Sequence, residues 1–165
     1  MTVVNPSWLT ASAPPKPGQF FVHYLSRAMF YGFCVEPENP TSPASWIVLK
    51  DGAGRGPEGR HLNRLDTGGP SLILTDVEIT FSEQDLAYGP PDSTPAGALI
   101  LTPKGQALCA RRDWHTYAVS LSNGAIMAID LQQSYWVPRW QLIRRRESDA
   151  PVVVIEFTGA PVEEA

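Results

Sequence analysis

The sequence is poor in charge, in cysteine and in histidine, and each shortage removes a class of protein. Charged residues make up 18% of the 165 residues, below the roughly 25% typical of soluble domains. Cys34 and Cys109 are the only cysteines. They lie far apart in apolar contexts with no CxxC pair, so neither a zinc site nor a disulfide framework is indicated. Buried reduced thiols, and with them a cytoplasmic location, are the expectation. The three histidines, His23, His61 and His115, form no HxH or HExxH pattern, so no local metal site is encoded. No apolar run approaches the ~20 residues needed to span a bilayer. The N-terminus lacks both the basic and the continuous apolar regions of a signal peptide. No membrane partner and no cofactor are expected.

Punctuation is abundant instead. Sixteen prolines and thirteen glycines argue against long helices and for short strands joined by turns. With 43% apolar residues, the chain has the material for a core. The fold class expected is mainly β: a small barrel, roll or sandwich of about eight to ten short antiparallel strands. The 98–146 portion has an SH3-like rhythm, an analogy of pattern. Residues 1–18 read as an extended proline-rich arm, because Pro6, Pro14, Pro15 and Pro17 block helix. Residues 19–158 read as one β-rich domain and 159–165 as an acidic tail.

Residues 114–146 carry the clearest signal. Asn123-Gly124 separates two strand-like runs, 116–122 and 125–131. Asn-Gly is the preferred centre of a two-residue type I′ turn, which needs φ > 0 at both positions. That turn would set Leu121 opposite Ile126, Val119 opposite Ala128 and Ala118 opposite Ile129, a hairpin apolar on both faces and hence internal. Gln19–Val35 carries helical spacing in Phe21, Tyr24, Leu25, Ala28 and Met29, but its aromatic and β-branched content favours two strands with a turn near Ser26-Arg27. Further strands are expected at Trp46–Lys50, Ser71–Phe81, Ala98–Thr102, Gln106–Arg111, Tyr135–Arg144 and Pro151–Phe157. In the second of these, Ile73, Val77, Ile79 and Phe81 share one face, with Asp76, Glu78 and Thr80 on a wet one. Ser82–Leu86 is expected to form a brief helical turn.

Charge is unevenly placed. Six acids and no Lys or Arg lie between Asp66 and Ile100, whereas seven bases and two acids lie between Leu101 and Arg146. The two regions either face each other in the fold or offer a basic surface to an anionic partner. The candidate binding residues are Trp136, Arg139, Trp140, Arg144, Arg145 and Arg146, because exposed aromatics beside guanidinium groups stack on bases or engage anions. The competing reading buries both indoles and puts Pro138 at an edge or bulge.

Other constellations are thinner. The glycine-rich DGAGRGPEGRHLNR segment lacks the GK[ST] ending of a P-loop and is read as a surface loop. Asp66-Thr67-Gly68 resembles the Asp-Thr-Gly of retropepsin-like aspartic proteases, which would imply a shared-proton carboxylate pair. Arg64 and Asn63 stand where an apolar lead-in strand belongs, and no second such segment follows. His115 beside Asp113 could act as a general base, or a thiol could pair with a histidine, but no local signature points there. Without a convergent catalytic set, the sequence points to a non-enzymatic interaction or assembly module. Its expected partner is a protein or a second copy of itself. A nucleic-acid-binding small barrel is the second reading and a hydrolase with a loop-built site the third.

Overall fold

The computed structural model describes residues 14–25, 27–42, 44–51, 61–62, 71–75, 77–89, 96–112, 115–144 and 152–158. The described residues form fourteen strands in three sheets, with every strand pair antiparallel. The mainly β class expected from the punctuation holds. The count exceeds the expected one because several strands are only two or three residues long.

The first sheet contains β1 (Phe20–Leu25), β2 (Ala28–Val35), β3 (Ser45–Asp51), β4 (His61–Leu62) and β5 (Ser71–Ile73), in the order β4-β3-β2-β1-β5. Its first two strands meet at the turn where expected: Leu25 pairs with Ala28. Arg27 in that turn takes φ 65°. Inside β2, a Cβ on Gly32 would lie 2.5 Å from the Trp46 ring and 2.8 Å from Phe21. Only a bare Cα leaves the indole room to cross the sheet there.

The third sheet contains β6 (Val77–Thr80), β13 (Arg139–Arg144) and β14 (Val152–Thr158), with β13 in the middle. The second contains β7 (Ala87–Tyr88), β8 (Leu99–Thr102), β9 (Gly105–Arg112), β10 (His115–Ser120), β11 (Ile126–Met127) and β12 (Tyr135–Val137), in the order β11-β10-β9-β8-β12-β7. Within the described residues all three sheets are open, so the 98–146 portion does not close into a barrel of its own. Instead β8 to β12 belong to one sheet and β13 to another.

One core joins the three sheets. Phe20, Val22, Phe33, Val35, Ile47 and Leu49 from the first meet Leu99, Leu108, Val119 and Val137 from the second, and Trp140, Leu142, Ile155 and Phe157 from the third. Two satellite cores occupy the outer faces. Phe21, Phe30, Cys34, Trp46 and Val48 pack behind the first sheet. Ala98, Ile100, Cys109, Ala118 and Trp136 pack behind the second, under Met127, Ile129 and Leu131. Sheets with apolar residues on both faces explain why so many strands read as continuous apolar runs.

Four expectations are corrected. The Asn123-Gly124 turn is not type I′, because only Gly124 of the pair takes positive φ. Residues 121–124 form the loop, closed by Ser120 N donating to Ala125 O (2.8 Å) and Gly124 N donating to Ser120 O (2.9 Å). Local side-chain bonds stabilise it: Asn123 Oδ1 accepts from Ala125 N at 3.0 Å and Ser120 Oγ from Ser122 N at 3.3 Å. The register is therefore Val119↔Ile126 and Ala118↔Met127, shifted by two, an even slip that leaves every side chain on its face.

The strand expected at 125–131 shrinks to Ile126–Met127 and gives way to a 3-10 turn, Leu131–Gln133. As the edge of its sheet, β11 exposes Ile126, so the hairpin is internal on β10 only. The strand expected at Ser71–Phe81 is two: Ile73 packs behind the first sheet, whereas Val77, Ile79 and Phe81 reach the shared core. Tyr135–Arg144 also divides, at Pro138. Without an N–H to donate, proline ends the ladder of β12 and the chain enters the third sheet as β13.

The described end of the arm, residues 14–18, lies against its own domain. Pro15 is buried, and its carbonyl accepts from Cys34 Sγ at 3.6 Å. Gly18 N donates to Cys34 O at 3.0 Å. Residues 1–13 and 159–165 lie outside the described residues. Among the described residues no helix is long and apolar enough to cross a membrane.

Candidate functional site

Two segments, 82–88 and 135–141, run side by side and build the most distinctive surface. Ser82 caps the 3-10 turn Glu83–Asp85, its side chain accepting from Gln84 N, as the helical turn expected there requires. Beyond it β7 pairs with β12 as Tyr88↔Tyr135 and Ala87↔Trp136. Three contacts zip the segments together. The Tyr88 and Tyr135 rings meet edge to face with centroids 5.1 Å apart and planes at 68°. The ladder pair Ala87↔Trp136 follows. Arg139 Nη2 then donates to Asp85 Oδ1 at 2.7 Å.

Tyr88 is 64% and Tyr135 47% exposed, and Leu86 beside them is exposed too. Gly89 N donates to Ser134 O at 2.8 Å, fixing the backbone just past the tyrosine pair. Beyond the ion pair a groove of about 530 Å³ opens over the end of the third sheet. The cross-strand set Thr80, Gln141 and Glu156 lines it. Ser82, Gln84, Asp85 and Arg139 contribute further polar groups and Phe81 an apolar one, with the buried Trp140 and Phe157 beneath. The lining carries two carboxylates against one guanidinium, so it favours cationic and neutral polar groups over anions.

The structure separates the residues singled out in the sequence. Trp136 is 0% and Trp140 2% exposed. Their indole N–H groups are used internally, Trp136 donating to Leu131 O at 3.1 Å and Trp140 to Gly97 O at 2.9 Å, as buried indoles require. Neither offers a ring face to a base or another ligand. Trp140 stacks on Phe157 at 5.6 Å. Arg139 is exposed and belongs to the surface just described. Arg144 is half-buried at the far end of β13, and Arg145 and Arg146 lie outside the described residues. Tyr135 lies in the strip Tyr135–Trp140 that the sequence marks as a surface candidate, whereas Tyr88 escapes notice because it opens a breaker-rich segment. The signal was the alternation of a strand, which sends Tyr135 outward wherever Trp136 points in.

The acidic and basic stretches lie side by side. Strands β6 and β7 of the former pair with β13 and β12 of the latter, and Arg139–Asp85 joins them. Arg112 also pairs with Glu38 at 2.7 Å.

Among the described residues the groups considered for catalysis do not converge. His23 is buried, its Nδ1 sharing a hydrogen bond with Ser71 Oγ (2.8 Å) and its ring meeting Trp46 edge-on. His115 is exposed on β10. Both thiols are free and buried. Burial pushes Cys34 up to about 11. It pushes Cys109 up to about 12, outweighing the opposite pull of Arg111 and of a backbone hydrogen bond at Gly97. Thiols held protonated in this way are inert as nucleophiles at neutral pH. Asp66-Thr67-Gly68 and the 52–60 glycine-rich segment lie outside the described residues. Among the described residues no group of three His, Cys, Asp or Glu comes together to hold a metal. Comparison of the chain with protein-family models, with curated proteins and with solved structures finds no match.

Proposed function

We propose that this chain is a non-enzymatic interaction module, whose contact surface is the Tyr88–Tyr135 pair with Leu86, Arg139 and the adjoining groove. The observation that carries this reading is the tyrosine pair. Two large aromatic side chains stand exposed on neighbouring strands, held by a ladder and an ion pair, while both indoles of the same segment are used in the core. Tyrosine and arginine are the residue types that concentrate binding energy at protein interfaces, and a pre-ordered backbone lowers the entropy cost of association. The partner is a protein or a second copy of this chain. Two reduced, buried thiols suit a reducing compartment, and we place the protein in the cytoplasm.

The test compares wild type with the Tyr88→Ala/Tyr135→Ala double variant. Tyr88 and Tyr135 are 64% and 47% exposed, so the variant should fold normally at a cost of no more than about 2 kcal/mol. Wild type used as bait in a lysate of its source cell should retain proteins that the variant releases, or light scattering should show an assembly that the variant lacks. Identical captured proteins and identical masses for the two chains would refute the reading.

A further inference from the structure

We infer that the surface takes an extended, proline-containing peptide carrying a basic side chain, with proline seated at the tyrosine pair and the cation in the groove. This rests on the interaction reading and names the partner's chemistry. The first support is the shape of the aromatic pair. Two exposed rings meeting at 68° present apolar surfaces at an angle to each other, against which the compact pyrrolidine ring of proline can pack. A polyproline II segment is already extended and pays little ordering entropy on docking.

The second support is charge. The groove lining holds Asp85 and Glu156 against Arg139, and Arg139 is already paired with Asp85 at 2.7 Å. Glu156 is exposed, a carboxylate open to an incoming Lys or Arg, with the amides of Gln84 and Gln141 among the lining. The same balance disfavours a phosphate backbone. The third support is spacing. Tyr135 and Arg139 are four residues apart, so even fully extended chain separates them by no more than about 14 Å. Four residues of polyproline II advance about 12 Å, so one short peptide reaches both features.

The experiment is fluorescence anisotropy on the full chain with three labelled probes. One is a twelve-residue peptide with prolines in PxxP spacing and an arginine at each end. The second has glutamate in place of the arginines, and the third is a dodecamer of thymidylate. The basic peptide should bind saturably. The glutamate version should bind at least about tenfold more weakly, and Tyr88→Ala should cost at least about tenfold, the size expected of a central aromatic contact. Glu156→Lys, a change at an exposed position, should weaken the basic peptide about fivefold or more and leave the fold intact.

Absence of saturation up to about 1 mM would overturn the inference. So would equal affinity for the glutamate peptide, tighter binding of the thymidylate, or an affinity unmoved by both substitutions. If the basic peptide does not bind and yet the tyrosine double variant still releases partners that wild type retains, this inference falls and the interaction reading stands.

Discussion

Gly124→Ala isolates the contact that locks the first sheet to the second. Three chain segments meet there backbone to backbone. Glu36 N donates to Gly124 O at 2.8 Å, and Gly18 N donates to Cys34 O at 3.0 Å beside it. A Cβ on Gly124 would lie 2.6 Å from Cys34 O, 2.6 Å from Gly18 N and 3.1 Å from Pro17 C. All three are backbone atoms, so no side chain can swing aside. Gly124 also has φ 71°, which costs an L-residue about 1–2 kcal/mol. Moving the arm or the end of β2 to relieve the clash sacrifices at least one of the two hydrogen bonds, about 1 kcal/mol each, on top of overpacking strain of about 1–3 kcal/mol. The sum is about 3–6 kcal/mol, a large part of the stability of an ordinary domain.

Gly89→Ala is the control. Its φ is 78°, and the nearest atom to an added Cβ is Gln132 O at an ordinary 3.4 Å. It should therefore show the backbone cost alone, about 1–2 kcal/mol. Urea denaturation of wild type and both variants, with the slopes compared, measures the difference. Losses for Gly124→Ala and Gly89→Ala within about 0.5 kcal/mol of each other would refute the claim that backbone packing at Gly124 holds the sheets together.

Arg27 occupies the left-handed region at φ 65°, so Arg27→Gly should raise stability by about 1 kcal/mol in the same assay; a loss would mean that the arginine side chain contributes more than its backbone costs. Alkaline pH should destabilise the protein through its thiols. Folded Cys34 and Cys109 keep their protons to about 11 and about 12 against an ordinary 9.0. Their contribution is complete below about pH 9 and is lost as pH rises toward those values, by up to about 1.4 kcal/mol per unit for each thiol. The Cys34→Ala/Cys109→Ala variant should show a flatter fall in urea midpoint above pH 9, and an equal slope would contradict the linkage. Trp140→Phe removes the donor to Gly97 O and should cost about 2–3 kcal/mol, whereas Tyr135→Ala, at an exposed position, should cost under about 1 kcal/mol. Equal melting temperatures for the two would deny Trp140 its place in the core.

Strand content was legible because it is written locally. β-branched and aromatic runs between glycines and prolines marked β1, β2, β3, β8, β9, β10 and β14 within a residue or two. Allocation of strands to sheets was not, because it depends on partners distant in sequence. Nothing in Leu72-Ile73-Leu74-Thr75 declares that the chain leaves one sheet there, since its apolar pattern runs on into Val77 and Ile79 without a breaker. The Asn-Gly signal located a turn but misjudged its length. A type I′ preference competes with bonds from Ser120 and Asn123 to the backbone, and with the demand of Cys34 and Gly18 for a bare Cα at 124. The tertiary contact chose which residue took the positive φ.

In the strip Tyr135–Trp140 the structure exposes other side chains than the two indoles expected at the surface. All six residues have the character of a binding surface, and a strand can show only alternate ones on a given face. Burying Trp136 behind the second sheet sends Tyr135 out. Pro138 then breaks the alternation and hands the chain to the third sheet, where burying Trp140 sends Arg139 out. The two indoles have more apolar area to hide than a phenol or a guanidinium, so the core takes them first. What remains outside is a tyrosine and an arginine, positioned by the tryptophans next to them. Substituting either indole should therefore weaken binding indirectly, together with stability, whereas substituting Tyr135 should weaken binding alone. A variant of Trp140 that kept full stability and lost binding would place the indole in the contact itself and undo this division.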